Sequence, residues 1–136
     1  MGYVLDDQIG FLLRRAQQRH LAIFAAAMPE GLTARQFAAL AKLGETGPCT
    51  QNALGRATAM DNATISGVLG RLADRGFVAR DAQEGDRRVL SVRLTEAGAA
   101  LLARCLPAAE AITAETLAPL TRAEAATLAA LLRRLG

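Results

Sequence analysis

Thr64, Ser66 and Arg71 share one side of a short segment with Ala63, Gly67 and Gly70, a face of small residues. Two hydroxyls and a guanidinium on such a face suit a polyanion read at close range. Hydroxyls bond to phosphates or base edges, and arginine takes a phosphate or a guanine. Two glycines inside a helix cost roughly 1 kcal/mol each relative to alanine. What they offer in exchange is close backbone approach, either to nucleic acid or to a neighbouring helix. A second group, Asp86, Arg87 and Arg88, sits between two strand-like runs. An arginine on a narrow hairpin can enter a minor groove, where negative potential is focused. Asp86 cannot attract DNA, so its expected work is to pin the tip by pairing with an arginine of its own chain.

Periodicity supplies the elements that must position these groups. Ile65, Val68, Leu69 and Leu72 repeat at helical spacing behind Asp61 as N-cap, and Gly76 follows as a left-handed stop. A shorter helix near 50–58 precedes it, with Thr50 as cap and Ala53, Leu54 and Ala57 turned inward. Thr33 and Gln36 form a capping box opening another, lined by Phe37, Leu40, Ala41 and Leu43 and closed by Gly44 and Gly47-Pro48. Residues 77–80 and 89–94 read as strands around the loop DAQEGDRR. Thr95 caps a long helix to about 118 that contains Pro107, and Thr121 with Glu124 opens a last one. An apolar arc from Ile9 through Leu12, Leu13, Ala16, His20, Ile23, Phe24 and Ala27 makes residues 4–28 a first helix, ended by Pro29. The fold class is therefore mainly α: a winged helix-turn-helix over about 33–95, flanked by helices over about 4–28 and 96–135, in one subunit of 1–136.

Composition agrees. Of 136 residues 51% are hydrophobic and 4% aromatic, so alanine and leucine build the core. Net charge is +3, with 15 of the 16 cations arginine, which permits nucleic-acid binding without demanding it. No apolar run approaches the roughly 20 residues of a membrane span, and the N-terminus does not read as a signal peptide. A cytoplasmic protein with reduced Cys49 and Cys105 is expected. One histidine, no phosphate-binding glycine loop and no Cys/His cluster argue against an enzyme, a metal site or a cofactor.

The run Leu32 to Leu101 resembles the multiple antibiotic resistance regulator (MarR) family of bacterial transcription factors. The matching pieces are LTARQFAAL, TQNALGRAT, DNATISGVLGRLADRGFVAR and DRRVLSVRLTEAG, above all Asp86, Arg88, Leu94, Thr95 and Gly98. The resemblance implies a homodimer whose first and last two helices interlock. Its two winged parts would straddle a pseudo-palindrome in double-stranded DNA, half-sites about one turn apart. On that reading Thr50, Gln51, Asn62, Ala63, Thr64, Ser66, Gly67, Arg71, Arg87 and Arg88 face DNA.

Such regulators usually release DNA when a small ligand binds between the dimerisation helices and the winged part. Here LLRRAQQRH is similar to the branch that responds to aromatic acids and phenols. The resemblance then implies that Arg14 pairs with a carboxylate and His20 with ring substituents, beside Gln17, Phe24 and Ile9. A guanidinium grips a carboxylate with two hydrogen bonds. Periodicity alone makes Arg14 a surface residue and His20 a satisfied core histidine. Two variants stay open. One is an aromatic acyl-coenzyme A thioester, with Arg15 and Arg19 near phosphates. The other is redox sensing at Cys49, which precedes a helix N-terminus where a thiolate is favoured; Cys105 packs as a small hydrophobe.

Overall fold

The computed structural model describes residues 2–83 and 86–136, with the side chains of 83–89 outside that description. Its elements run α1 (Ile9–Ala27), α2 (Ala34–Thr46), β1 (Cys49–Thr50), α3 (Gln51–Ala57), α4 (Asn62–Asp74), β2 (Val78–Gln83), β3 (Asp86–Leu94), α5 (Glu96–Leu117) and α6 (Arg122–Leu135). Two compact units divide the chain. One joins Met1–Ala27 to Ala108–Gly136, and the other is Met28–Pro107.

Met28–Pro107 is the winged helix-turn-helix. Thr33 and Gln36 close a reciprocal capping box at the start of α2. Ala39, Leu40 and Leu43 then pack with Leu54, Ile65, Leu69, Leu72 and Val92 in its core. The expected inward positions shift slightly. Phe37 and Ala41 are half-buried where Ala39 is fully buried, and Ala57 is exposed. Gly44, read as a stop, lies inside α2. A Cβ there would collide with Leu102 of α5, so it is a packing glycine.

The wing is longer than the alternation implied. β2 and β3 pair antiparallel from Val78↔Leu94 to Ala82↔Leu90, and a bulge precedes Gln83↔Asp86. The expected loop 81–88 is thus mostly strand, because backbone pairing continues where apolar alternation fails. β1 was not expected. Its two residues pair with β3 as Cys49↔Val92 and Thr50↔Ser91, giving sheet order β1-β3-β2.

At the other end of the chain α1 begins at Ile9, five residues later than expected. Leu5–Asp7 form a separate 3-10 turn, and Gln8 is extended, its carbonyl accepting from Leu12 N–H at 2.9 Å. Residue types gave no break there. α1 ends because Met28 precedes Pro29 and takes an extended conformation. α5 continues through Pro107. By length and mean hydropathy it could cross a bilayer, but Arg104 and Glu110 interrupt its apolar sequence, and it buries Leu101, Leu102, Cys105 and Ile112 inside the protein.

Candidate nucleic-acid interface and effector face

α4 separates its two faces cleanly. Ile65, Leu69 and Leu72 are completely buried. Asn62, Ala63, Ser66, Gly67 and Arg71 are exposed, and Thr64 is half-buried. A Cβ at Gly67 would meet nothing within 4 Å, so no neighbouring helix explains that glycine. Gly70 differs, because a Cβ there would stand 3.7 Å from the Arg80 guanidinium of the wing. The open strip is therefore Ala63, Ser66 and Gly67, with Arg71 at its end.

The N-terminus of α4 is fixed by Asp61, whose Oδ1 accepts from the Thr64 backbone N–H at 2.7 Å. That bond, then the Thr64 hydroxyl, holds the Asp61 carboxyl below the usual carboxylate range, and nearby Arg35 adds to the effect. Thr64 thus serves the cap as well as the exposed face. Arg35 lies on α2, remote in sequence, and nothing in local spacing marked it.

The start of α3 places Thr50 as the expected cap and Gln51 behind it. Thr50 Oγ1 caps the helix, accepting from Ala53 N–H at 3.1 Å. Gln51 is half-buried, and its Oε1 is shielded without a hydrogen bond among the described residues. The wing-tip expectations for Asp86, Arg87 and Arg88 fall on side chains outside the described residues. Nearby, Arg93 Nε stands 3.5 Å from Asp81 Oδ2 across the hairpin.

The wing root shows what Leu94-Thr95-x-x-Gly98 accomplishes. Thr95 N–H donates to Phe77 O at 3.1 Å, and its hydroxyl donates to Gly76 O at 2.6 Å. The same oxygen accepts from Gly98 N–H at 3.0 Å, capping α5. A Cβ at Gly98 would run into the Phe77 carbonyl, so only glycine lets α5 start this close to the end of α4. Three segments that must keep a fixed geometry meet there: the end of α4, the hairpin and α5.

On α1, Arg14, Gln17, His20 and Phe24 follow at helical spacings and form one strip. The structure brings His20 and Phe24 together, ring centroids 6.4 Å apart, with Phe24 buried. Arg14, Gln17 and Ile9 are exposed on the same helix. His20 Nδ1 is 2.8 Å from Thr116 Oγ1 of α5. Arg19 donates to the Thr116 and Glu115 carbonyls at 2.7 and 2.9 Å, capping the last turn of α5. That engagement takes Arg19 away from the phosphate role considered for it.

The redox variant would need a thiolate at Cys49. Cys49 is half-buried in β1, and burial pushes its thiol up rather than toward the thiolate. Cys105 is completely buried, and the same desolvation raises it against the opposing pull of Arg104.

Known proteins match this arrangement along the whole chain. The MarR family model matches residues 32–90. The HTH-type transcriptional repressor NicR of Pseudomonas putida is 42% identical over 98% of this chain and 85% of its own length. A probable transcriptional regulator from Pseudomonas aeruginosa, solved by crystallography, is 55% identical with a TM-score of 0.94, covering 98% of this chain and 100% of that one. Bordetella bronchiseptica BpsR, whose structure concerns regulation of its DNA binding by 6-hydroxynicotinic acid, is 43% identical with a TM-score of 0.89, over 95% and 98% of the two chains.

Proposed function

The chain belongs to the MarR family, and on that footing we propose that it is a cytoplasmic transcriptional repressor, not an enzyme, released from DNA by a small aromatic acid. It binds a pseudo-palindromic operator as a homodimer. The observation that carries the DNA reading is α4, which buries Ile65, Leu69 and Leu72 while Ala63, Ser66, Gly67 and Arg71 stand open. In the complex α4 enters the major groove with Asn62, Ala63, Thr64, Ser66, Gly67 and Arg71 at the DNA surface. Thr50 and Gln51 lie at the start of α3 beside the backbone, and Arg87 and Arg88 enter the minor groove from the wing, shaped by Asp86. The homodimer follows from the exposed leucines of α1 and α6, among them Leu12, Leu13, Leu131 and Leu132.

The effector reading rests on α1. Arg14 and His20 lie six residues apart, about 9 Å along the axis. A flat acid with a polar substituent opposite its carboxylate can place a hydrogen bond near each end of that span. Gln17 offers a further polar contact, and Phe24 and Ile9 apolar walls. Hydroxylated nicotinates and benzoates have this chemistry, and BpsR responds to the first kind. The test is operator binding with and without 6-hydroxynicotinate, nicotinate and 4-hydroxybenzoate. At least one acid should release the DNA and raise the melting temperature of the free protein. If none of the three does either, the effector reading is wrong.

A further inference from the structure

We propose that Glu30 is a positioning residue for operator recognition, holding the end of α4 through Arg75. Glu30 lies between α1 and α2 at φ 61°, ψ 19°, in the left-handed region that non-glycine residues rarely occupy. Such a conformation persists only where its surroundings over-determine it. Here they do so three times. The Glu30 carbonyl accepts from Arg75 Nη2 at 3.0 Å. Its carboxylate stands 3.6 Å from the same nitrogen. The other carboxylate oxygen lies 3.4 Å from both terminal nitrogens of Arg104 on α5.

Arg75 is the C-cap residue of α4, and its guanidinium lies over the Phe77 ring, 5.1 Å from the centroid. Phe77 is the residue whose carbonyl receives Thr95 at the wing root. One side chain therefore gathers the entry to α2, the end of the reading helix and α5. The placement along the chain adds to this. The chain passes between its two compact units after Ala27 and after Pro107. Glu30 follows the first passage by three residues, and Arg104 precedes the second by three. Within the winged unit, Glu30 joins both passages to the end of α4. All three side chains are partly exposed, so these pairs contribute little to stability. Their effect is on orientation.

The inference rests on the operator-binding reading, and the test separates the two. The probes are a duplex enriched from a random library by the wild-type protein and a scrambled duplex of equal length. Glu30→Gln keeps length and backbone but removes a negative charge. Charge alone predicts equal or tighter binding to both duplexes. The proposal predicts about tenfold weaker binding to the enriched duplex only. Adding Arg104→Gln should cost little more, because the pair acts as one unit. In the free variant, amide exchange should quicken at Gly76 and Phe77 and stay unchanged in α3. An unaltered ratio between the duplexes, or unaltered exchange at Gly76 and Phe77, would overturn the proposal. If the wild type enriches no duplex, the operator reading fails, and the exchange measurement alone decides whether Glu30 holds α4.

Discussion

The two compact units solve the same problem of burying leucine and alanine in opposite ways. Met28–Pro107 finishes its own core, with Leu40, Leu54, Ile65, Leu69, Leu72 and Val92 completely out of solvent. In the other unit, Phe24 and Ile112 are the large side chains buried among the described residues. Ile9, Leu12, Leu13, Leu21, Leu128, Leu131, Leu132 and Leu135 remain exposed there, and Leu120, Leu128 and Leu131 line an open apolar groove on α6. A unit that closes its core can offer polar and small residues to DNA. A unit that leaves its core open leaves apolar faces for a second copy to cover.

Three perturbations should break or sharpen that contrast. Leu12→Asp combined with Leu131→Asp places charge on the open faces. The dimer should dissociate in light scattering, and operator affinity should fall by roughly 10²–10⁴ as the linked half-sites separate. Circular dichroism should still report the winged unit folded. Gly98→Ala attacks the closed unit instead, driving a methyl into the Phe77 carbonyl. A destabilisation of about 1–3 kcal/mol is expected in denaturant unfolding, with the subunits still associated. The smallest effect concerns pH. The Asp61 carboxyl is lowered in the fold, so its contribution is present above the ordinary value of 3.8 and is lost as pH falls through the folded value. Asp61→Asn keeps a capping side chain but cannot titrate. Its stability should vary less with pH below about 4 than the wild type's, as thermal melts over pH 3–5 would show.

Local chemistry made much of the winged unit legible. Asp61, Thr50, Thr33 and Thr121 cap the helices they precede, because a cap is decided within four residues. What escaped was settled by partners distant in sequence. β1 exists because Val92 and Ser91 lie beside Cys49 and Thr50. Gly44 was misread as a stop because Leu102 cannot be seen from α2. On α1 the apolar arc was visible as a period and the candidate effector contacts only through the family resemblance, while His20 and Arg19 are both engaged with the end of α5, nearly a hundred residues away. Nothing in local spacing marked Glu30 and Arg75, whose pairing joins residues 45 positions apart.

If α4 reads DNA and α1 senses the acid, a crossed titration of two variants separates the two roles. Arg71→Ala and Arg14→Ala would each be titrated with the enriched duplex, and each assayed for binding and release by an aromatic acid that releases the wild type. Arg71→Ala should lose about 1–3 kcal/mol of operator affinity while the free protein still binds the acid. Arg14→Ala should bind the duplex as tightly as wild type and hold it when the acid is added. An Arg14→Ala protein that still lets go of DNA, or an Arg71→Ala protein that reads it undiminished, would contradict the account.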